Sequence, residues 1–399
     1  MSEHHIIVLE QFTLPKSGSV LCFCHLRWNF VYQRPQHLLS RCQNVCEVHF
    51  WEEPLYKPAD SAELRIESVD MGLRVLTPIL PEGIGKSASV DLQRKLLDQY
   101  LQREGISRFI SWYYTPMALE FSCHLSPLLT VYDCMDELSA FQGAPPELIG
   151  MENRLFARAD VVFAGGPSLY DAKRLQHENV YLFPSSIDRE HFSSARGPLP
   201  DPDDQASIPH PRIGFFGVLD ERLDQQLLAA IAERTPNWHF ILVGPVAKIH
   251  PNQLPQAANI HYLGQKTYAE LPQYLANWDV AMLPFAQNSS TRFISPTKTP
   301  EYLAAGKPVV STPIRDVLRP YGERGLVEIA GDADTFSRAI DRCLHRNDDQ
   351  WLQSVDQFIG EMSWDRTFAG MWSEIERSML QRNVPNRIGT NVECGESYV

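Results

Sequence analysis

Short apolar runs rich in β-branched residues alternate with amphipathic stretches along most of the chain, and the alternation breaks only once. This pattern constrains the fold most, because buried parallel strands need a crossover helix between them and helices on both faces. In the first half, residues 19–25 (SVLCFCH), 45–50, 73–79, 109–112, 128–132, 159–164 and 180–183 read as strands. A helix opens at Arg34-Pro35, where proline lacks only an N–H that would be unpaired anyway. Residues 91–104 place Leu92, Leu96, Leu97, Tyr100 and Leu101 on one helical face, and another helix is expected over 168–177.

The break falls at residues 193–211 (SSARGPLPDPDDQASIPHP), which hold five prolines and no apolar period. That is linker composition. A second series follows, with strands at 213–216, 240–243, 260–263, 280–283 and 308–311. Helices are expected at 225–234, 269–276, 299–305, 335–347 and 364–381. A chain of 399 residues also exceeds what one hydrophobic core usually holds. The reading is an α/β fold of two Rossmann-like domains facing each other across a cleft. Residues 1–195 form the first domain, 196–211 the linker and 212–362 the second domain. The polar tail 382–399 is expected to be disordered. Ligands of open parallel sheets sit beyond the carboxyl ends of the strands, so the cleft is the expected site.

The net charge is −13, and it is spread evenly. Residues 1–200 carry 18 basic against 24 acidic side chains, and the remainder 18 against 25. Neither half has the basic surplus of a nucleic-acid binder, so no nucleic-acid partner is expected. No stretch approaches the apolar length that spans a bilayer, and the N-terminus MSEHH lacks signal-peptide character. Eight cysteines follow no zinc or disulfide spacing and read as buried thiols of a reducing cytoplasm.

The most informative string is SPTKTPEYLAAGKPVVST, residues 295–312. It reads as a loop, a helix, the stop Gly306 and an apolar strand. Ser295, Thr297 and Thr299 offer hydroxyls, Lys298 a cation for a diphosphate, and Glu301 an acceptor for a ribose diol. Taken alone, the string also allows Glu301 to be a helix cap and Lys298 a solvated surface charge.

This string resembles the nucleotide-sugar site of the GT-B glycosyltransferases, in particular the large retaining group called family 4. Residues 179–192 (NVYLFPSSIDREHF), 212–219 (RIGFFGVL) and 260–284 are similar to that family's other segments, in order and spacing. Residues 364–381 resemble its terminal helix, which crosses back to the N-terminal domain. RPQHLLSR, within 34–41, is similar to a bacterial subset acting on surface polysaccharides. The resemblance implies a retaining transfer from a nucleotide diphosphate sugar, a UDP-sugar by preference, to a glycan or lipid-linked acceptor. It implies a cytoplasmic enzyme, with room for peripheral contact at the inner membrane face. Donor contacts are then expected from Gly217, Arg222, Gly264, Ser295, Thr297, Thr299 and Glu301, with Lys298 catalytic. Two departures stand out. Phe293 occupies the position of the family's first glutamate, and Val218 that of an arginine, for which Arg222 is the candidate replacement. A nucleotide-sugar epimerase or a non-catalytic binding subunit on the same fold remains an alternative.

In the first domain, Asp133 and Asp136 close a strand and are candidate catalytic carboxylates, as base or charge stabiliser. Trp28, Arg34, Tyr113 and Tyr114 are candidate acceptor contacts. The Asp-x-Asp pairs 201/203 and 332/334 lie in the linker and at a helix start, so no metal cofactor is expected.

Overall fold

The structure is a computed structural model that describes residues 18–346 and 349–382. The tail, the MSEHH terminus and Cys394 fall outside the described residues.

Two sheets carry the chain. The first has nine strands: β1 (Ser19–Phe23), β2 (Glu47–Trp51), β3 (Leu55–Lys57), β4 (Glu63–Asp70), β5 (Leu73–Pro81), β6 (Phe109–Tyr113), β7 (Leu129–Cys134), β8 (Val161–Ala164) and β9 (Val180–Leu182). Their order is β3-β5-β2-β1-β6-β7-β8-β9, parallel along this path, with β4 antiparallel to β5. The second runs β12-β11-β10-β13-β14-β15 and is parallel in every pair. Its strands are β10 (Arg212–Phe216), β11 (His239–Val243), β12 (Ile260–Gly264), β13 (Val280–Leu283), β14 (Val309–Ser311) and β15 (Glu328–Ile329). Central strands such as β1 and β10 are buried at all five residues, which is why they read as continuous apolar runs.

The sequence reading misses β4, whose charged residues ELRIESVD lie on an exposed edge. It also misses the helices Leu148–Arg158 and Asp349–Ile359. The linker is not a free tether. Arg196 donates to the Ala304 carbonyl at 2.7 Å and pairs with Asp356, while Arg212 pairs with Asp201 at 2.6 Å. The helix Asp203–Ala206 buries Gln205.

After the second domain, the helix Trp364–Arg382 packs Trp364, Met371, Trp372 and Ile375 into the core of the first sheet. Arg382 fastens its end to the Leu128 carbonyl and to Asp160. Cys22, Cys24, Cys42, Cys46, Cys134 and Cys343 are buried thiols.

The domains meet on both sides of the cleft. On one side Asp316 accepts hydrogen bonds from the Ser168 amide, at 3.1 Å, and from its hydroxyl. Phe293 packs there against core residues of the first domain. The position where the resemblance would place a glutamate therefore serves domain contact. On the other side Tyr268 stacks on Tyr32 with centroids 4.7 Å apart, and Gln265 donates to the Phe30 carbonyl.

Candidate functional site

The site grows from the carboxyl end of β10. Gly217 there has φ +140, and a Cβ built on it would lie 2.1 Å from Lys298 Cε. Gly244, ending β11 with φ +145, would put a Cβ 2.0 Å from the Gly217 carbonyl. Only glycine satisfies either position, and the two let backbone and lysine pack without a gap. Gly264 at the end of β12 accepts a hydrogen bond from the Gly244 amide at 2.7 Å.

The helix Lys298–Ala304 is fixed by Tyr302, whose buried hydroxyl accepts from the Phe216 amide at 2.9 Å. It presents Lys298 and Glu301. Burial lifts the Glu301 carboxyl to about 7 against the pull of the Lys298 charge. Burial, and then the charge of Arg222, lowers the pKa of Lys298. Neither side chain has an ion-pair partner within 4 Å among the described residues. Thr299 is fully buried, and its hydroxyl has no protein partner. Buried polar groups are normally satisfied, so these uncommitted side chains make the helix start a candidate ligand site, while Thr299 itself lies off the cavity.

Across the cleft a cavity of about 90 Å³ joins the domains. Arg34, Met135 and Asp136 line it from one side, and Arg222, Ser295, Thr297 and Lys298 from the other. The sequence candidates Asp136, Arg222, Lys298, Ser295, Thr297 and Arg34 therefore converge. Burial raises the Asp136 pKa, while Arg222, Lys248 and Lys298 hold it down. Its neighbour Glu137 is tied to buried Lys173 at 2.8 Å, and Lys173 to Glu152 at 2.9 Å, which anchors the loop.

Other candidates take different places. Asp133 is fully buried and paired with Arg34 at 2.9 Å, so it is a structural counter-ion rather than a cleft carboxylate. Arg34 is likewise committed, donating also to the Phe183 carbonyl at 2.8 Å, and only its edge reaches the cavity. Arg222 is held by Asp220 at 2.6 Å, which offsets part of its charge. Trp28 packs edge-to-face on Phe50, and Tyr113 stacks on Phe23 with its hydroxyl on Ser122. Tyr114 is 1% exposed. These three aromatics are core, not acceptor contacts.

Lys248 was missed. It has φ +62, and its ammonium lies 4.3 Å from the Phe141 ring centroid, with Arg222 at 5.4 Å from the same ring. Phe141 comes from the first domain, so two cations of the second domain grip one aromatic ring across the cleft. His25, following β1, is kept neutral to about pH 4 by burial and then by Lys248.

Residues 210–346 match the model of the family described as Glycosyl transferases group 1. TuaH of Bacillus subtilis (strain 168), assigned as a glycosyltransferase of teichuronic acid biosynthesis, is 26% identical over 279 residues. That match covers 64% of this chain and 69% of TuaH. The chain is a glycosyltransferase of the GT-B fold.

Solved structures agree on the fold of this glycosyltransferase over nearly its whole length. Sucrose-phosphate synthase from Thermosynechococcus elongatus superposes with a TM-score of 0.69 at 14% identity, covering 92% of this chain and 100% of that one. The trehalose-6-phosphate structure from E. coli, bound with UDP-2-fluoro glucose, gives 0.67 at 12%, covering 90% and 99%. Anabaena HepE, in complex with UDP and glucose, gives 0.62 at 15%, covering 89% and 98%. No helix among the described residues is long and apolar enough to cross a membrane.

Proposed function

We propose that the enzyme moves a sugar from a uridine diphosphate sugar to a hydroxyl of a glycan or lipid-linked acceptor in surface-polysaccharide synthesis. The observation that carries this reading is Lys298, which has no ion-pair partner among the described residues, packs beside Gly217 and faces Asp136 across the cavity, with the buried Glu301 beside it on the same helix. Glu301 accepts hydrogen bonds from the ribose hydroxyls. Lys298, with Arg222 and Lys248 behind it, faces the diphosphate. As the C1–O bond breaks, its electron pair goes to the diphosphate, where preorganised cations lower the barrier. These cations supply the countercharge, so the reading includes no essential metal. Asp136 stabilises the positive charge that develops on the sugar. The acceptor proton passes to the departing phosphate oxygen on the same face, which gives retention. The cytoplasmic location, at the inner membrane face where the acceptor is lipid-linked, belongs to the same proposal.

Isothermal titration with a UDP-sugar in the presence of a chelator tests the donor site, and acceptor-dependent release of UDP tests transfer. UDP release without any acceptor, or no heat of binding at millimolar donor, overturns the reading. Proton NMR of the product's anomeric signal checks retention.

Two variants sharpen it. Lys298→Ala lowers kcat by about 10²–10³, the scale for losing one preorganised transition-state donor, and changes donor affinity far less. Equal losses in affinity and kcat would make Lys298 a ground-state contact. Glu301 must be ionised to accept two hydroxyl donors. With its pKa near 7 in the empty site, only about one molecule in ten is ionised at pH 6. UDP-sugar affinity therefore falls about tenfold from pH 8 to pH 6, and Glu301→Gln flattens that profile. The empty protein shows the reverse trend. A carboxyl raised on folding stabilises the fold at low pH, and that contribution is lost as pH rises from about 4.5 to about 7. A pH-independent affinity in the wild type would reduce Glu301 to a helix residue.

A further inference from the structure

The helix Pro167–Lys173 stands between the loop that carries Asp136 and the second domain, and it is fixed to both. Its start is pressed from two sides. A Cβ built on Gly165 would lie 2.8 Å from Met135 Cα, so the loop packs directly on this backbone. A Cβ on Gly166 would lie 2.6 Å from Asp316 Oδ2 and 2.6 Å from Ser295 Cβ, both of the second domain. Glycine at the two positions is what admits this double approach. Met135, Asp136 and Ser295 all line the interdomain cavity.

The second domain holds the start of the helix, and the end of the helix holds the loop. Asp316 accepts from the Ser168 amide at 3.1 Å and from its hydroxyl, and both residues are buried. Arg315 adds an exposed pair with Asp171 at 2.6 Å, a weaker contact because solvent screens it. At the other end the buried Lys173 pairs with Glu137 at 2.8 Å and with Glu152 at 2.9 Å. Glu137 follows Asp136 directly in the chain, and its second oxygen accepts from the Ser139 hydroxyl at 2.8 Å. Glu152 is fixed in turn by the Tyr132 hydroxyl at 2.7 Å. A buried ammonium between two carboxylates tolerates little displacement, because any gap leaves a charge unpaired. A helix of seven residues is roughly 10 Å long and stiff, so its two ends move together.

We infer that this helix couples the contact between the domains to catalysis, with Lys173 and Glu137 as positioning residues that set Asp136 against the donor while Asp316 holds Ser168. The inference rests on the catalytic reading of Asp136 and deepens it. A misplacement on the order of 1 Å at a reacting group costs up to about 10²-fold in rate. Turnover is thereby tied to the arrangement in which the two domains touch.

Hydrogen-exchange mass spectrometry of the full chain with UDP tests the coupling without any acceptor. Glu137→Ala frees the loop but leaves Lys173 paired with Glu152, which spares the fold. It speeds exchange at the far end, in the peptide 166–174, by about tenfold, the ordinary scale of coupling between sites. Linkage requires the reverse effect as well. Asp316→Ala, or the milder Ser168→Ala should the first unfold, speeds exchange of the Ala140 and Phe141 amides, which are bonded to the Glu137 and Leu138 carbonyls. Glu137→Gln keeps an oxygen for the Lys173 ammonium and restores protection at both ends. With UDP-glucose as donor and octyl glucoside as the acceptor probe, Glu137→Ala lowers kcat about tenfold to a hundredfold. UDP affinity stays within about threefold. In the Asp136→Asn protein the same substitution costs no further turnover, because both act through one carboxylate. Exchange that changes only at the mutated end overturns the inference, as does a wild-type kcat in folded Glu137→Ala while Asp136→Asn is slow. Coupled exchange beside an Asp136→Asn enzyme as fast as wild type would instead leave the coupling standing and remove the catalytic reading.

Discussion

Asp136→Asn reduces kcat by about 10²–10⁴ while UDP-sugar affinity stays within about threefold. The carboxylate lines the interdomain cavity with Lys298 and Arg222, and its pKa is set by burial against three nearby cations. A group that meets charge developing in the transition state shows its loss in turnover rather than in binding. Asparagine keeps the size and the hydrogen-bonding oxygen. The loop itself is held by Glu137 on Lys173, so the substitution leaves the fold intact. Steady-state kinetics beside donor titration reads both quantities. A kcat near wild type would make Asp136 part of the cleft wall only, and His25, neutral at working pH, would be the next base to test.

Arg34→Met lowers stability by about 3–5 kcal/mol, the cost of leaving a buried charge uncompensated. Asp133 is fully buried, and Arg34 is its partner through both Nε and Nη2. The same guanidinium donates to the Phe183 carbonyl and toward Met371 of the terminal helix. Removing it therefore strands a carboxylate and loosens three segments together. Replacing both partners by apolar residues, Arg34→Met with Asp133→Leu, recovers most of the loss because no charge remains to be buried. Urea unfolding of the single and double variants measures this. A single variant within about 1 kcal/mol of wild type would mean that water reaches Asp133.

The strands and helices were legible wherever burial was two-sided. Segment 280–283 reads directly as β13, and 225–234 as the helix Gln225–Arg234, because apolar runs there have no competing explanation. The edge strand β4 was not, since its exposed face obeys solubility rather than packing. For the site, the 295–312 string revealed the donor side because glycine, lysine and glutamate carry their chemistry locally. Asp133 lies within β7 and Asp136 in the loop that follows, and which of the two faces the cleft depends on where the strand ends, which three residues of sequence do not encode. Lys248 gains its meaning from a partner more than a hundred residues away, Phe141. Sequence spacing holds no trace of such contacts.

The terminal helix has a consequence for how the molecule is made. Trp364, Met371, Trp372 and Ile375 complete a core begun by Val20 and Cys22, so the first domain to leave the ribosome is the last to be finished. Until residue 382 emerges, that sheet must wait with an apolar face uncovered, while residues 187–359 already hold the buried cluster of the second domain. The second domain is thus free to fold first although it is translated second. A nascent chain stalled near residue 360 would be half native and half dependent on a chaperone.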